Sequence, residues 1–247
     1  MARDTSRERR ERVAAMQAKA KQSERRRFLL VIGAVVLVIA LIGGAVAWAI
    51  IGEQSKKDAA LQGMTGDVAA AACDPVIDDP ATGSSDHVGP GTSVADTERV
   101  EYDTAPPSSG QHFAQPALSE RRVYTVADAP QVEALVHNLE HGYTILWYDP
   151  SVEESQASQF AALAERVNAM PESQNKFIIT PWDTTRGAFP EGKKYALTHW
   201  AAQVDLQTGK VGEQSGKRQY CGGLNVTVVE DFVKKFPWSS APEPGAA

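Results

Sequence analysis

Apolar positions are distributed along the chain in three regimes. From Phe28 to Ile51 the sequence FLLVIGAVVLVIALIGGAVAWAII runs for 24 residues without a charge. At about 1.5 Å per residue it spans roughly 36 Å, more than the ~30 Å hydrocarbon core of a bilayer, and so predicts one transmembrane helix over 28–51. Residues 52–99 follow with no aromatic side chain and abundant Ala, Gly, Asp, Thr, Ser and Pro. Such a stretch cannot bury a core and predicts a flexible linker. From Val100 to Pro237 apolar residues recur periodically, and fifteen of the eighteen aromatics lie there. That predicts one globular domain over 100–237, followed by a loose tail over 238–247.

Within the domain, Arg121 to Val126 and Tyr143 to Tyr148 read as strands, the second (YTILWY) too apolar for an exposed edge. Between them, a helix capped by Asp128 carries Pro130 in its first turn and Gly142 at its C-terminal left-handed position. A second helix opens at the capping box Ser151 to Glu154, presents Phe160, Leu163, Ala164 and Val167 on one face, and stops before Pro171. Lys176 to Thr180 and Ala196 to Val204 read as further strands. The capping box Thr227 to Glu230 opens a last helix, with Val229, Phe232, Val233 and Phe236 at i, i+3, i+4 and i+7. This order predicts an α+β domain, a mixed sheet with helices packed on it.

Charge adds orientation. Residues 1–27 carry ten Lys or Arg against four acids, a net of +6, while the whole chain is −6, leaving −12 for the rest. The positive-inside rule then predicts a cytoplasmic N-terminus, a basic arm on the anionic inner leaflet, and an extracytoplasmic C-terminal domain at the plasma membrane. An acidic exported part is a poor nucleic-acid binder. A cleaved export signal competes with the anchor reading, since Arg25-Arg26-Arg27-Phe28-Leu29 is similar to a twin-arginine signal and Ala45-Val46-Ala47 to a cleavage site. Cys73 and Cys221 are the two cysteines, both on the exported side. An intramolecular disulfide is the economical pairing, with intermolecular pairing or free thiols as alternatives, and Cys-x-x-Cys redox chemistry is excluded.

The chemistry concentrates in His137-Asn138-Leu139-Glu140-His141-Gly142. In the predicted helix, Val132, Leu135, Val136 and Leu139 form one apolar stripe. His137 and His141 point to roughly the opposite side, stacked at i, i+4, with Glu133 extending their stripe and Glu140 flanking it. Two nitrogen ligands plus a nearby carboxylate suit a metal ion, and a third ligand must come from elsewhere. His112, in the stiff, Gly-containing loop Pro106-Pro107-Ser108-Ser109-Gly110-Gln111-His112, is the natural donor. The alternatives are a surface turn for His112 and a solvated helix face for His137 and His141. His199, beside Trp200 in a strand, reads as packing or hydrogen bonding, and Trp182 and Trp200 as core or pocket wall.

Pro106 to His112, Leu135 to Tyr143 and Trp147-Tyr148 together resemble the signature segments of the bacterial domain-of-unknown-function family 3105, common in membrane-anchored actinobacterial envelope proteins. The resemblance covers about residues 85–236. It implies a further histidine upstream of the Pro-Pro motif, a place that Asp86-His87-Val88 occupies here, and implies no assigned activity. Ser108 stands where the family usually has Thr.

Three functions compete. One is an envelope module that holds zinc or copper through His87, His112, His137 and His141, with copper favoured by affinity order. Another is a zinc-dependent hydrolase, because His137-x-x-Glu140-His141 satisfies the H-x-x-E-H pattern in which Glu140, the catalytic candidate, activates water. The last is a non-catalytic scaffold or partner-binding module with a hydrogen-bonded histidine cluster.

Overall fold

The computed structural model describes residues 2–81, 87–118, 120–205, 208 and 210–245. The chain divides into two compact units, residues 1–56 and 57–247. Helix α1 (Ala2–Gln62) is continuous through the basic arm and the apolar run. Its apolar side chains, Phe28, Leu30, Val36, Ile42 and Trp48 among them, are exposed. The helix is long and apolar enough to cross a membrane or to serve as an export signal.

The second unit contains strands β1 (Ile77–Pro80), β2 (His87–Val88), β3 (His112–Phe113), β4 (Thr144–Tyr148), β5 (Phe177–Pro181), β6 (Tyr195–Asp205) and β7 (Lys210–Cys221). Its helices are α2 (Val132–Glu140), α3 (Glu153–Asn168) and α4 (Val226–Lys235). Among the described residues five strands form one sheet in the order β1-β7-β6-β4-β5, and β2 pairs with β3 separately. Only β4 and β5 run parallel in the large sheet. The architecture is the mixed α+β arrangement that the pattern predicts.

Alternation along the central strands sorts the side chains into two cores. Ile145 and Trp147 face α2, where they meet its stripe of Val132, Leu135, Val136 and Leu139 together with Ile178, Ala196 and Trp200. Leu146 and Tyr148 face the other way, against Phe160, Leu163 and Val167 of α3 and Val229, Phe232 and Val233 of α4. A strand covered on both faces must be apolar at every position, which is why β4 reads as a continuous run. Each fully buried Leu, Val or Phe stabilises the fold by roughly 1.5–3 kcal/mol.

Several expected boundaries shift. Arg121 to Val126 forms no strand beyond a single bridge from Val123 to Ile179. The Asp128 carboxylate caps a turn instead, accepting from the Thr125 amide and hydroxyl, and α2 starts four residues later with Gln131 at its N-cap. Neither capping box forms as such. Asp149 caps the turn ahead of α3, Glu153 accepts from the Tyr148 hydroxyl and the Val126 amide, and Asn225 caps α4. Gly142 does take a left-handed φ of 90°, and a Cβ there would collide with the carbonyl of Trp238.

Two segments expected to be loose are built into the domain. In the stretch read as a linker, Met64 is buried, Cys73 bonds Cys221, and β1 pairs along β7. Asp79 grips Arg218 through both oxygens at 2.8 and 2.9 Å, so a strand with the sequence IDDP is held by charge rather than by apolar alternation. The tail also packs. Ala241 is fully buried, and the Glu243 amide donates to Glu140 O at 3.0 Å. Ala246 and Ala247 lie outside the described residues.

The disulfide closes a separation of 148 residues and fits an oxidising compartment. Replacing both Cys73 and Cys221 with Ala is expected to lower unfolding stability by about 2–5 kcal/mol in denaturant titration. His199 offers a second test. It is fully buried with Nδ1 3.1 Å from Thr144 Oγ1 and 3.2 Å from Tyr143 O, and Nε2 3.1 Å from Ser240 Oγ. Burial, aided by the charge of Lys217 and opposed by the Tyr143 carbonyl, pushes it down to about 4. Because the folded state resists the proton, His199 stabilises the fold fully above the ordinary value near 6.5. That contribution, about 3 kcal/mol, is lost as pH falls from 6.5 towards 4. Denaturation of wild type and His199→Gln at pH 7 and 4.5 should show the smaller acid loss in the variant.

Candidate metal centre

The site begins with two short strands. β2 and β3 pair in parallel with His87 directly opposite His112 and Val88 opposite Phe113, so both imidazoles project to the same side, ring centroids 4.7 Å apart. Gly89 makes the approach possible: it has φ 81°, and any Cβ would meet the Phe113 ring at 2.7 Å. Upstream of His112, the Ser108 hydroxyl is buried and donates to Asp79 Oδ2 at 2.8 Å. The His112 Nδ1–H donates to Gly110 O at 2.8 Å. A carbonyl can only accept, so this bond fixes the tautomer and leaves Nε2 pointing inward.

α2 supplies the opposing groups. His137 Nδ1–H donates to Phe113 O at 2.6 Å, which ties the helix to β3 and presents His137 Nε2 to the interior. One turn later His141 Nε2 lies 3.0 Å from His137 Nε2. Glu140 Oε2 sits 3.0 Å from His112 Nε2 and 4.0 Å from His87 Nε2. His112 Nε2 is enclosed and makes no aligned hydrogen bond despite that approach. The tail adds Glu243, whose carboxylate is 3.7 Å from His141 Nε2. Lys176 Nζ latches this end by donating to His141 O at 2.8 Å and Pro244 O at 2.9 Å.

Burial excludes the alternative of a solvated helix face. Glu140 and His112 are 0% exposed, His137 5% and His141 7%, with only the His87 side chain reaching 38%. His137 and His141 do point away from the apolar stripe, but the β2–β3 segment and the tail cover them. Burial pushes His137 down to about 4, aided by the neighbouring histidines and opposed by the Phe113 carbonyl, so its ring is neutral at pH 7. For Glu140 burial acts upward, yet the close approach of His112 and the charges of His112, His137 and His87 outweigh it and hold the carboxyl below its usual range. A neutral His137 ring beside a carboxyl that gives up its proton readily is the kind of protonation state that metal ligation requires.

The structure brings together His87, His112, His137, Glu140 and His141. Glu133 lies apart from them, accepting from the Val100 amide at 2.8 Å and pairing with Arg186 at 2.9 Å, where it anchors the approach to the Pro-Pro loop. His199 also stays out: consecutive residues of β6 face opposite sides, so Trp200 joins the α2 face, edge-on to His112 at 5.9 Å, while His199 lies against Phe236. Trp182 is buried core. Asn138 and Glu243 have roles that the sequence reading missed. The Asn138 amide both accepts from Ala117 N and donates to Ala117 O, fixing the chain beyond β3. Its signal was a polar residue inside the histidine motif, whereas nothing local distinguishes Glu243.

His87, His112 and His137 form one group whose donor atoms lie within 4.8 Å of one another, and His137, Glu140 and His141 form a second, so either could hold a metal ion. Two nitrogens at about 2.0–2.1 Å from one ion are roughly 2.9–3.4 Å apart over the usual coordination angles. The 3.0 Å between His137 and His141 falls in that range. No curated protein and no solved structure matches the chain. The matching family model reaches beyond the expected end of the resemblance at 236 but stops short of His87, while Asp86 lies outside the described residues. That model, described as protein of unknown function (DUF3105), covers residues 93–247, more than half of the chain, which therefore belongs to this family.

Proposed function

We propose that this is a single-pass membrane-anchored envelope protein, of actinobacterial type, whose exported domain holds zinc or copper through His112, His137, His141 and His87. The observation that carries the reading is the orientation of His112 and His137. Each spends Nδ1–H on a backbone carbonyl, at 2.8 and 2.6 Å, and turns Nε2 into the buried cluster. That is how metal-ligating histidines are held in the correct tautomer. An ion there would satisfy His112 Nε2, which in this tautomer offers a lone pair to a carboxylate oxygen that can only accept. The module would store, sense or deliver the metal, with His87 as the solvent-facing entry.

Burial favours holding metal over hydrolysis of a peptide. Glu140 has no exposed surface, and a substrate would have to reach it through the packed histidines. The membrane reading rests on the apolar run and its +6 arm, with the arm on anionic inner-leaflet lipids and the disulfide domain outside.

Elemental analysis by mass spectrometry of the full chain, purified in mild detergent without added metal or a His tag, should find near-stoichiometric zinc or copper. His137→Gln together with His141→Gln should lower occupancy more than tenfold while circular dichroism stays unchanged. Absence of metal even after incubation with both ions would leave a histidine-clustered scaffold instead. Orientation is checked separately: protease added to intact spheroplasts should digest the domain and spare the basic arm, and the reverse would overturn the topology.

A further inference from the structure

The cluster holds more donors than one ion takes, and they form a triangle of His87, His112 and His137 with His141 beyond the His137 corner. Ring centroids step from His87 to His112 at 4.7 Å, from each of these to His137 at 5.0 and 4.9 Å, and from His137 to His141 at 4.4 Å. Glu243 adds a carboxylate 3.7 Å from His141 Nε2. His137 belongs to both donor groups, yet its Nδ1 is committed to Phe113 O, so it offers a single nitrogen. An imidazole with one available nitrogen serves one ion. Whichever group takes it, the other keeps donors of its own.

We infer that the site is dinuclear, with Glu140 bridging two transition-metal ions. This rests on the metal-binding reading above. His87 and His112, opposite each other on the paired strands, serve one ion. His137 and His141, one turn apart on α2, serve the other. Glu140 lies between the pairs: its Oε2 is 3.0 and 4.0 Å from the strand histidines, and it shares a donor group with the helical ones. A carboxylate has two oxygens and several lone pairs, so it can bridge where a committed imidazole cannot. Glu243, brought to His141 by the packed tail, completes the second ion's shell. Bridged metal pairs sit about 3.5–4 Å apart, within the reach of one carboxylate.

Copper gives a direct test. The metal-free full chain in detergent is titrated with Cu(II) and followed by electron paramagnetic resonance. The first equivalent should give an ordinary mononuclear signal. The second should bring loss of intensity and a half-field transition, because two bridged Cu(II) ions couple. Glu140→Gln should abolish the coupling, and Glu243→Gln should weaken one of the two equivalents about tenfold while sparing the other. Saturation at one equivalent, or two equivalents whose signals simply add, would overturn the dinuclear site and leave the metal-binding reading standing. No uptake at all would overturn both.

Discussion

Burial of the polar side of α2 is the constraint on which the rest of this domain depends. An amphipathic helix ordinarily leaves its charged face in water, but here Glu133, His137 and Glu140 are as enclosed as Leu135 and Leu139. Taking a carboxylate out of water costs several kcal/mol unless compensating groups surround it. The chain supplies them from far away: Arg186 and the Val100 amide for Glu133, and histidines from β2, β3 and α2 itself for Glu140. The loops around α2 are therefore positioned chiefly by polar contacts to the helix.

The same dependence explains which parts of the fold could be read from the sequence. Elements whose burial pattern is local were legible. β4, β5, α3 and the core face of α4 announced themselves because their apolar spacing is set by the sheet they cover. β1 and β7 were not, since β1 is held by Asp79–Arg218 and Asp78–Lys217 pairs, and β7 is largely polar along its outer half. An ion pair between residues 139 positions apart leaves no periodic trace. The aromatic-free stretch suggested a tether for a related reason: its small side chains can still be captured by a disulfide and an edge pairing, neither of which composition reports.

The candidate site divides along the same line. His112, His137, Glu140 and His141 could be grouped from helical spacing and a stiff loop, and the structure does gather them. Their burial could not be foreseen, because it comes from chain segments separated by dozens of residues. Glu133 looked like a member by helical stripe, but Arg186 draws it into a different contact. His199 and Trp200 show how strand parity sorts neighbours: adjacent in sequence, they serve opposite faces of the sheet.

Among the described residues, the pairing of β2 with β3 extends over two residues on each strand. A ladder that short does not hold itself together, and a good part of what keeps His87 opposite His112 is supplied by what their imidazoles meet inside. Any ligand that binds the closed arrangement alone stabilises it by mass action, by about 4 kcal/mol at a thousandfold excess over its dissociation constant. For an ion held by both imidazoles, occupancy and the pairing of His87 with His112 would be one equilibrium, the histidine pair acting as a clasp between the two strands.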